Sequence, residues 1–263
     1  LSILLPAVLI FPKDMRFWEE GKVDRTVFKE VKFEDLTMPP GYSLREAGLL
    51  LYTPAENEFR EECRRFAINE LAPLAAELHG TKRELEKKDA TQEEFRVRIR
   101  EGCLKIAGRM AERGYAGLIF PVEYGGSGRS VTDLSIMLEE FSAEAYGGTG
   151  FQDNTMFGAV PVWKFGTEEQ KERFLKPVIR GELISAIAIT EPQAGSDAAR
   201  IRTRAVKDGD SYVLSGIKRF ITNGGIAHYM TLFAVTDPDV HPHDGMSAFI
   251  VPTDAPGFSV EKR

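Results

Sequence analysis

The sequence predicts an α+β fold in which a helical half is followed by a strand-rich half. Up to Gly181, apolar residues recur every three or four positions, between Thr or Ser caps and terminating glycines. After Gly181 the period falls to two, and short β-rich runs are separated by Gly, Pro, Asp and Asn. Helices first and strands afterwards predict an N-terminal all-α domain followed by an antiparallel β-barrel or sandwich domain.

Length and composition restrict the class of protein. A chain of 263 residues exceeds the common size of one domain. The changes in pattern divide it into an N-terminal extension (1–51), a helical domain (52–183) and a β-domain (184–263). Its net charge of −6 argues against a nucleic acid as partner. Two cysteines, far apart and each among apolar residues, favour a reducing compartment and argue against a disulfide framework.

The extension opens with an apolar run over residues 3–11, which Pro6 interrupts. The run is too short to span a bilayer, and no basic region typical of a signal peptide precedes it. Two interpretations stay open. One is peripheral contact with a membrane surface, and the other, which we favour, is packing on the body of this or a neighbouring subunit.

Hydroxyl residues open the predicted helices. Thr53 is the clearest, because Pro54 follows it and Glu56 completes a capping box, and we expect this helix to end at Pro73. Residues 80–90 then carry mixed charges, which indicates a solvated face or a connector. The other predicted starts, each with its terminating glycine, are Thr91 with Gly114, Ser130 with Gly147, and Thr167 with Gly181.

Five short runs in the second half are predicted strands, because β-branched and aromatic residues alternate with polar ones. They are Ser185–Thr190, Ile201–Val206, Tyr212–Ile217, Tyr229–Val235 and Ser247–Val251.

Two polar loops between these strands are the strongest candidate for a binding site. The first reads TEPQAGSD over residues 190–197, where Pro192 turns the chain and Gly195 allows a ligand to approach the backbone closely. Ser196 adds a hydroxyl beside the exposed amide, an arrangement that suits a phosphate. The second loop reads FITNGG over residues 220–225.

Two other motifs are assigned to structure instead of chemistry. The glycines of residues 125–128 precede a helix, but the segment lacks the lysine of a Walker motif and the spacing of a dinucleotide fingerprint, so we predict a turn. His241 and His243 flank a proline with no third ligand at a diagnostic spacing. We therefore predict a solvated loop there and no metal site.

The two polar loops together resemble the flavin-binding centre of the acyl-CoA dehydrogenase family, whose T-E-P-x-A-G-S-D pattern precedes a W-I-T-N-type strand end. TEPQAGSD matches at every defined position, whereas Phe220 stands where the family usually has tryptophan. The segments FPVEYGGSG and FGTEEQKERFL are similar to the helical domain of that family. The resemblance implies the family's N-terminal and middle domains, with its C-terminal four-helix bundle absent.

The resemblance also implies a role for each loop residue toward an FAD cofactor. Gly195 and Ser196 would meet the pyrophosphate, and Ser196 would also lie near the pantetheine arm of the substrate. Phe220 would cover one edge of the flavin, where phenylalanine retains a stacking surface, and the Thr222 hydroxyl would bond flavin N5. The remaining implied flavin contacts are Ile187, Ile189, Thr190 and Ile221.

The implied activity is α,β-dehydrogenation of an acyl-CoA thioester, a step of fatty acid β-oxidation, with electrons passed to an electron-transferring flavoprotein. In the family the catalytic base belongs to the C-terminal helical domain, so we assign no catalytic residue to this chain. That domain, or a second subunit, is expected to complete a homo- or hetero-oligomer. The expected location is the cytoplasm, or the mitochondrial matrix in a eukaryote.

Two alternatives remain. One is a non-catalytic scaffold or assembly subunit with a dehydrogenase-like fold, and the other is a relative that acts as an acyl-CoA oxidase or a flavin monooxygenase. The full match at TEPQAGSD favours an enzyme, because a scaffold has no physical reason to keep a close-approach glycine and a hydroxyl in that loop.

Overall fold

The computed structural model describes residues 2–6, 52–144 and 150–261, with the backbone alone for 2–6 and 150–154. Apart from one short strand near the N-terminus, helices come first and strands afterwards, so the predicted α+β architecture is confirmed. The helices are α1 (Pro54–Phe66), α2 (Ala72–Lys87), α3 (Gln92–Glu112), α4 (Val131–Glu144), α5 (Gly150–Phe165), α6 (Glu168–Gln170) and α7 (Lys176–Ile179). The strands are β1 (Ser2–Pro6), β2 (Ser185–Ala188), β3 (Arg204–Asp208), β4 (Ser211–Ser215), β5 (Tyr229–Val235) and β6 (Met246–Pro252).

The predicted caps are found where the sequence placed them. Thr53 and Thr167 form complete capping boxes, with side-chain and backbone bonds in both directions. The Thr91 hydroxyl accepts from the N–H of Glu94. Gly114 and Gly181 both adopt positive φ, as terminating glycines do. The predicted end at Gly147 lies outside the described residues.

The predicted end of the first helix at Pro73 is wrong. A π-helical turn over Ala67–Leu71 follows α1, and the N–H of Ala72 bonds the carbonyl oxygen of Ala67 five residues back. The wider turn lets the chain pass Pro73 into α2, although proline has no N–H to donate. Another π turn, Lys171–Leu175, leads into α7 in the same way.

The charged segment 80–90 is a solvated face, as predicted, and most of it is helical. Helix α2 continues to Lys87, and Lys82, Arg83 and Glu86 are exposed on it. The connector to α3 is consequently only a few residues long.

Aromatic rings and one buried carboxylate hold the helical half together. The ring of Tyr115 lies 4.9 Å from that of Phe66 and 5.2 Å from that of Phe141, measured between centroids. The Glu140 carboxylate of α4 accepts from Arg60 at 2.6 Å and from Arg64 at 2.8 Å. Because both arginines belong to α1, this carboxylate joins two helices across the core.

The strands form one mixed sheet in the order β1-β4-β3-β5-β2, with β6 also paired to β5. Strands β2 and β5 are parallel, with Ser185 opposite Tyr229, and β3 meets β5 in parallel at a single pair. The other pairs are antiparallel. The antiparallel arrangement predicted from the sequence therefore holds for β1–β4, β3–β4 and β5–β6 and is wrong where β5 meets β2 and β3, because the alternation of side chains does not encode strand direction.

The start of the apolar N-terminal run lies against the edge of this sheet. Strand β1 pairs antiparallel with β4, with Ser2 opposite Ser215 and Pro6 opposite Ser211. This pairing agrees with packing on the body of the protein. Residues 7–11, and with them the rest of the suggested membrane contact, lie outside the described residues. No helix in the described ranges is long and apolar enough to cross a bilayer.

Helix α5 packs closely on β2 and so fixes the strand from which the first polar loop departs. A Cβ at Gly158 would lie 2.5 Å from the Ser185 hydroxyl, so only glycine permits this approach. The Ser185 hydroxyl donates to the Thr155 carbonyl oxygen at 2.5 Å, and the Thr231 hydroxyl of β5 donates to the Gly158 carbonyl oxygen at 2.7 Å.

Candidate cofactor-binding site

The first polar loop leaves β2 at Ala188 and closes on itself. The N–H of Glu191 donates to the Ala194 carbonyl oxygen at 2.9 Å, and the reverse bond measures 3.1 Å. Pro192 occupies the turn between them and is exposed. The sharp turn predicted from Thr-Glu-Pro is therefore present, and it places Gly195 and Ser196 on the outside.

A buried carboxylate holds this loop from beneath. Glu191 is 4% exposed and accepts from the backbone N–H of Arg202 at 2.7 Å and of Thr203 at 3.0 Å. The Lys218 ammonium donates to it at 2.8 Å and the Gln193 amide at 2.5 Å. Burial by itself raises the pKa of Glu191, but the hydrogen bonds from Lys218 and Thr203 outweigh it and lower the pKa to about 2. Glu191 is thus an ionised structural group.

Lys218 joins the first loop to the second. Its ammonium is buried and donates to the Ile189 carbonyl oxygen at 2.9 Å as well as to Glu191. Burial lowers the pKa of Lys218, and the neighbouring Glu191 carboxylate opposes that shift. The pair holds two loops that are distant in sequence at a fixed spacing.

Residues 218–228, here named the strap, contact β2 and the residues on either side of it. The N–H of Arg219 donates to the Thr190 carbonyl oxygen at 2.9 Å after the end of the strand. The Asn223 side-chain amide donates to the Ser185 carbonyl oxygen at 3.1 Å. The N–H of His228 donates to the Ile184 carbonyl oxygen at 2.7 Å, next to the Ser185–Tyr229 pair with which β2 and β5 begin. The strap therefore satisfies backbone carbonyl groups near both ends of β2.

Seven of the eight residues proposed from the sequence lie on these two joined segments, and Ile187 lies on the adjoining strand β2. Gly195, Ser196, Phe220 and Thr222 are exposed, while Ile187, Ile189, Thr190 and Ile221 are half-buried. The residues beneath them are packed and hydrogen-bonded, whereas the four exposed residues are accessible to solvent. The result is a rigid base with an accessible polar and aromatic surface.

No contact within the described residues requires glycine at position 195. Gly195 is not among the residues with positive φ, and a Cβ built on it meets no atom of the described chain within 4 Å. At Gly126, by contrast, a Cβ would lie 2.1 Å from the Phe120 carbonyl oxygen. An open glycine beside the exposed Ser196 hydroxyl fits a phosphate group that approaches the backbone closely.

Phe220 is equally unexplained by internal packing. Its side chain is 81% exposed, its φ is 56°, and the Arg219 guanidinium lies 4.6 Å from the ring centroid. A large apolar side chain in the left-handed region gains little inside the chain and carries backbone strain. It fits the stacking surface for a flat ligand, so the residues present accommodate a flavin nucleotide.

The two motifs that the sequence analysis assigned to structure, residues 125–128 and the pair His241 and His243, lie outside these loops. Residues 125–128 form a turn after the 3₁₀ helix Val122–Tyr124, with Gly125 at a φ of 90°. His241 and His243 are exposed, with ring centroids 5.4 Å apart. No group of three potential metal ligands is found in the described ranges.

Sequence reasoning missed Lys218 as the connection between the loops. Glu191 and Lys218 are 27 residues apart, and no short spacing marks them as a pair. A usable signal existed, since each is a charged residue at the end of an otherwise apolar strand. Such a position usually requires an opposite charge nearby.

Comparison with known proteins agrees with this architecture. Residues 53–182 match the family described as acyl-CoA dehydrogenase, N-terminal domain, and residues 186–263 match its middle domain. The short-chain specific acyl-CoA dehydrogenase of Clostridium acetobutylicum is 38% identical over 205 residues, which are 77% of this chain and 49% of that protein.

Solved structures give the same result. The FAD complex of PigA has a TM-score of 0.65 at 28% identity, over 78% of this chain and 50% of that one. The ChsE4-ChsE5 complex from Mycobacterium tuberculosis has a TM-score of 0.61 at 33% identity, over 79% and 50%. The chain thus spans about half the length of the relatives it matches. From these matches to both its helical and its β region, the chain belongs to the acyl-CoA dehydrogenase family.

Proposed function

We propose that this chain supplies the FAD-binding half of an oxidoreductase that dehydrogenates an acyl-CoA thioester between its α and β carbons. The observation that carries the proposal is the open surface of Gly195, Ser196, Phe220 and Thr222 above the buried Glu191. When bound, FAD supplies the hydride acceptor. Support comes from relatives named acyl-CoA dehydrogenases and from the likeness to a protein solved as an FAD complex.

The position of each residue supports its proposed contact. The Gly195 amide and the Ser196 hydroxyl bind the pyrophosphate, since both residues are exposed and no atom of the described chain lies within 4 Å of a Cβ built at Gly195. Phe220 stacks on the edge of the flavin, and Thr222 donates a hydrogen bond to it. The half-buried residues Ile187, Ile189, Thr190 and Ile221 form the wall beside the ring.

The substrate, acceptor and partner complete the proposal. Ser196 also contacts the pantetheine arm of the acyl-CoA, and an electron-transferring flavoprotein receives the electrons. The catalytic base is assigned to a C-terminal helical domain or a second subunit, and not to the described residues. The chain matches about half of each relative's length, and one similar structure is a complex of two named components.

The test is a pair of matched glycine substitutions in the complete protein. Gly195→Leu places a side chain where the pyrophosphate is proposed to bind, while no atom of the described residues lies within 4 Å of the new Cβ. Gly80→Leu makes the same change at an exposed helical glycine that is equally free of neighbours. We expect Gly195→Leu to lose bound flavin by absorption spectroscopy, while its free energy of unfolding changes little.

The control should retain flavin in the amount found in the unmodified protein. Retention of flavin by Gly195→Leu equal to that of Gly80→Leu contradicts the assignment of this loop. A purified, folded protein without flavin that takes up none from added FAD favours the scaffold alternative.

A further inference from the structure

The strap has a second attachment, at the end away from Phe220. Arg100 of α3 donates through Nε to the Ile226 carbonyl oxygen at 2.7 Å and through Nη2 to the Ala227 carbonyl oxygen at 2.9 Å. The rigid fork of one guanidinium thus holds two consecutive backbone carbonyls. This contact fixes the strap relative to the helical half of the molecule.

His228, the last residue of the strap, is held in both directions by Ile184. Its backbone N–H donates to the Ile184 carbonyl oxygen at 2.7 Å, and the Ile184 N–H donates to His228 Nδ1 at 3.0 Å. A ring nitrogen that accepts a hydrogen bond carries no proton, so this imidazole is neutral with its hydrogen on Nε2. Since Ile184 precedes β2, the pair joins the starts of β2 and β5.

We propose that Arg100 and His228 are positioning residues that hold Phe220 and Thr222 in place for the flavin, and that protonation of His228 loosens this end of the strap. Protonated Nδ1 becomes a donor that faces the donor N–H of Ile184, so their hydrogen bond is lost. The ligand in this inference rests on the proposed function, whereas the attachment itself lies within the chain.

Burial and the neighbouring positive charge lower the pH at which the attachment is lost. Burial lowers the pKa of His228 from its ordinary value of 6.5, and the positive charge of Arg100 lowers it further. The charged groups that act on Arg100 are Arg96, Glu93 and Asp254. Because the folded-state pKa lies below the unfolded value, the stabilisation is complete above about pH 6.5 and is lost as the pH falls through the folded-state pKa.

The direct test is hydrogen exchange of the Ile184 amide in the purified protein between about pH 8 and pH 5, corrected for the intrinsic exchange rate. His228→Asn keeps an acceptor for that amide but does not titrate. In the unmodified protein we expect protection to fall by up to about tenfold per pH unit below the folded-state pKa. In His228→Asn it should stay constant, and the exposed control His79→Asn should follow the unmodified protein.

Flavin release provides a second readout. Arg100→Lys keeps the charge but loses the two-pronged contact, so we expect flavin to dissociate about 5- to 10-fold faster, as for one lost hydrogen bond. Arg98→Lys, at an exposed position of the same helix, should leave the rate unchanged. Acid should accelerate flavin release in the unmodified protein and not in His228→Asn.

Identical pH profiles for the unmodified protein and His228→Asn, in exchange and in flavin release, would overturn the inference. Flavin release from Arg100→Lys at the rate of Arg98→Lys counts equally against it. A protein that carries no flavin at any pH contradicts the proposed function instead, and the Ile184 amide still decides whether the attachment opens in acid.

Discussion

Two buried carboxylates among the described residues are each paired with a cation, but their surroundings differ. Glu140 accepts from two arginines between α1 and α4, where helices pack around the buried core. Glu191 accepts from Lys218 and from backbone amides, and the loop that it supports is exposed at Gly195 and Ser196. Both side chains are 2% exposed. Burial of an ion pair therefore does not by itself distinguish a scaffold from a site.

Glycines and aromatic side chains in the two halves of the molecule make that distinction. In the helical half, Gly126 is required by close backbone contact, whereas no contact within the described residues requires glycine at position 195. The large aromatic side chains near Glu140 are buried, whereas Phe220 near Lys218 is exposed. Exposed groups supported by a packed and hydrogen-bonded layer are typical of a surface that is preorganised for a ligand.

The largest effect on stability is expected from substitution of Glu140, the buried carboxylate of the helical half. Glu140→Ala leaves the Arg60 charge buried without its main partner, so we expect the free energy of unfolding to fall by about 3–5 kcal/mol. Denaturant unfolding measures the loss. The matched control is Glu139→Ala, whose side chain is 55% exposed and 3.7 Å from the same arginine. It should change the value by less than about 1 kcal/mol.

Substitution of Glu191, the carboxylate beneath the candidate site, should lower stability less than substitution of Glu140 but should reduce bound flavin more. Glu191→Gln weakens the bonds to Lys218 and the Arg202 amide, which we expect to lower the free energy of unfolding by about 2–3 kcal/mol. Flavin content per folded molecule should fall as well, because the loop above loses its support. Glu182→Gln, in an exposed pair with Arg180, is the control and should affect neither. Full flavin content in Glu191→Gln would show that Glu191 does not support the flavin site.

The same carboxylate predicts a dependence on pH. Its pKa is lowered from 4.5 to about 2 in the folded protein, so its stabilisation is complete above about pH 4.5 and is lost as the pH falls toward 2. The difference in unfolding free energy between the unmodified protein and Glu191→Gln should therefore shrink on acidification. A difference that stays constant from neutral pH to about pH 3 contradicts this interpretation.

The smallest effect on stability is expected at Phe220. Because its ring is 81% exposed, Phe220→Ala should change the free energy of unfolding by no more than about 0.5 kcal/mol. Flavin should nevertheless dissociate faster from this variant, as measured by stopped-flow spectroscopy or dialysis. Phe157→Ala removes another exposed ring, 56% accessible on α5, and should leave flavin binding unchanged. Equal flavin affinity in the two variants removes Phe220 from the proposed site.

Local signals in the sequence predicted much of this fold. Capping boxes at Thr53 and Thr167 fixed two helix starts, and the Thr-Glu-Pro turn fixed the shape of the first loop. The misplaced end at Pro73 arose because a π turn, which no residue pattern marks, carries the helix past the proline. Rules based on local sequence are reliable only where the local interaction decides the structure.

Long-range contacts account for the rest. The parallel pairing of β2 with β5 depends on the path of the intervening chain, and alternation of side chains is the same in either direction. Arg100 reaches the strap across 126 residues of sequence, and Lys218 reaches Glu191 across 27. The exposed residues of the candidate site could be named from the motif, but the contacts of Lys218 and Arg100 that hold them could not.

The central claim is that the two loops form the flavin surface, and hydrogen exchange with and without added FAD tests it most directly. We expect FAD to protect backbone amides in residues 190–197 and 220–225, while the amides of α1 and α4 around Glu140 exchange as before. Protection confined to another part of the chain, such as the glycine turn at residues 125–128, or the absence of any protection in a folded protein, would contradict the account.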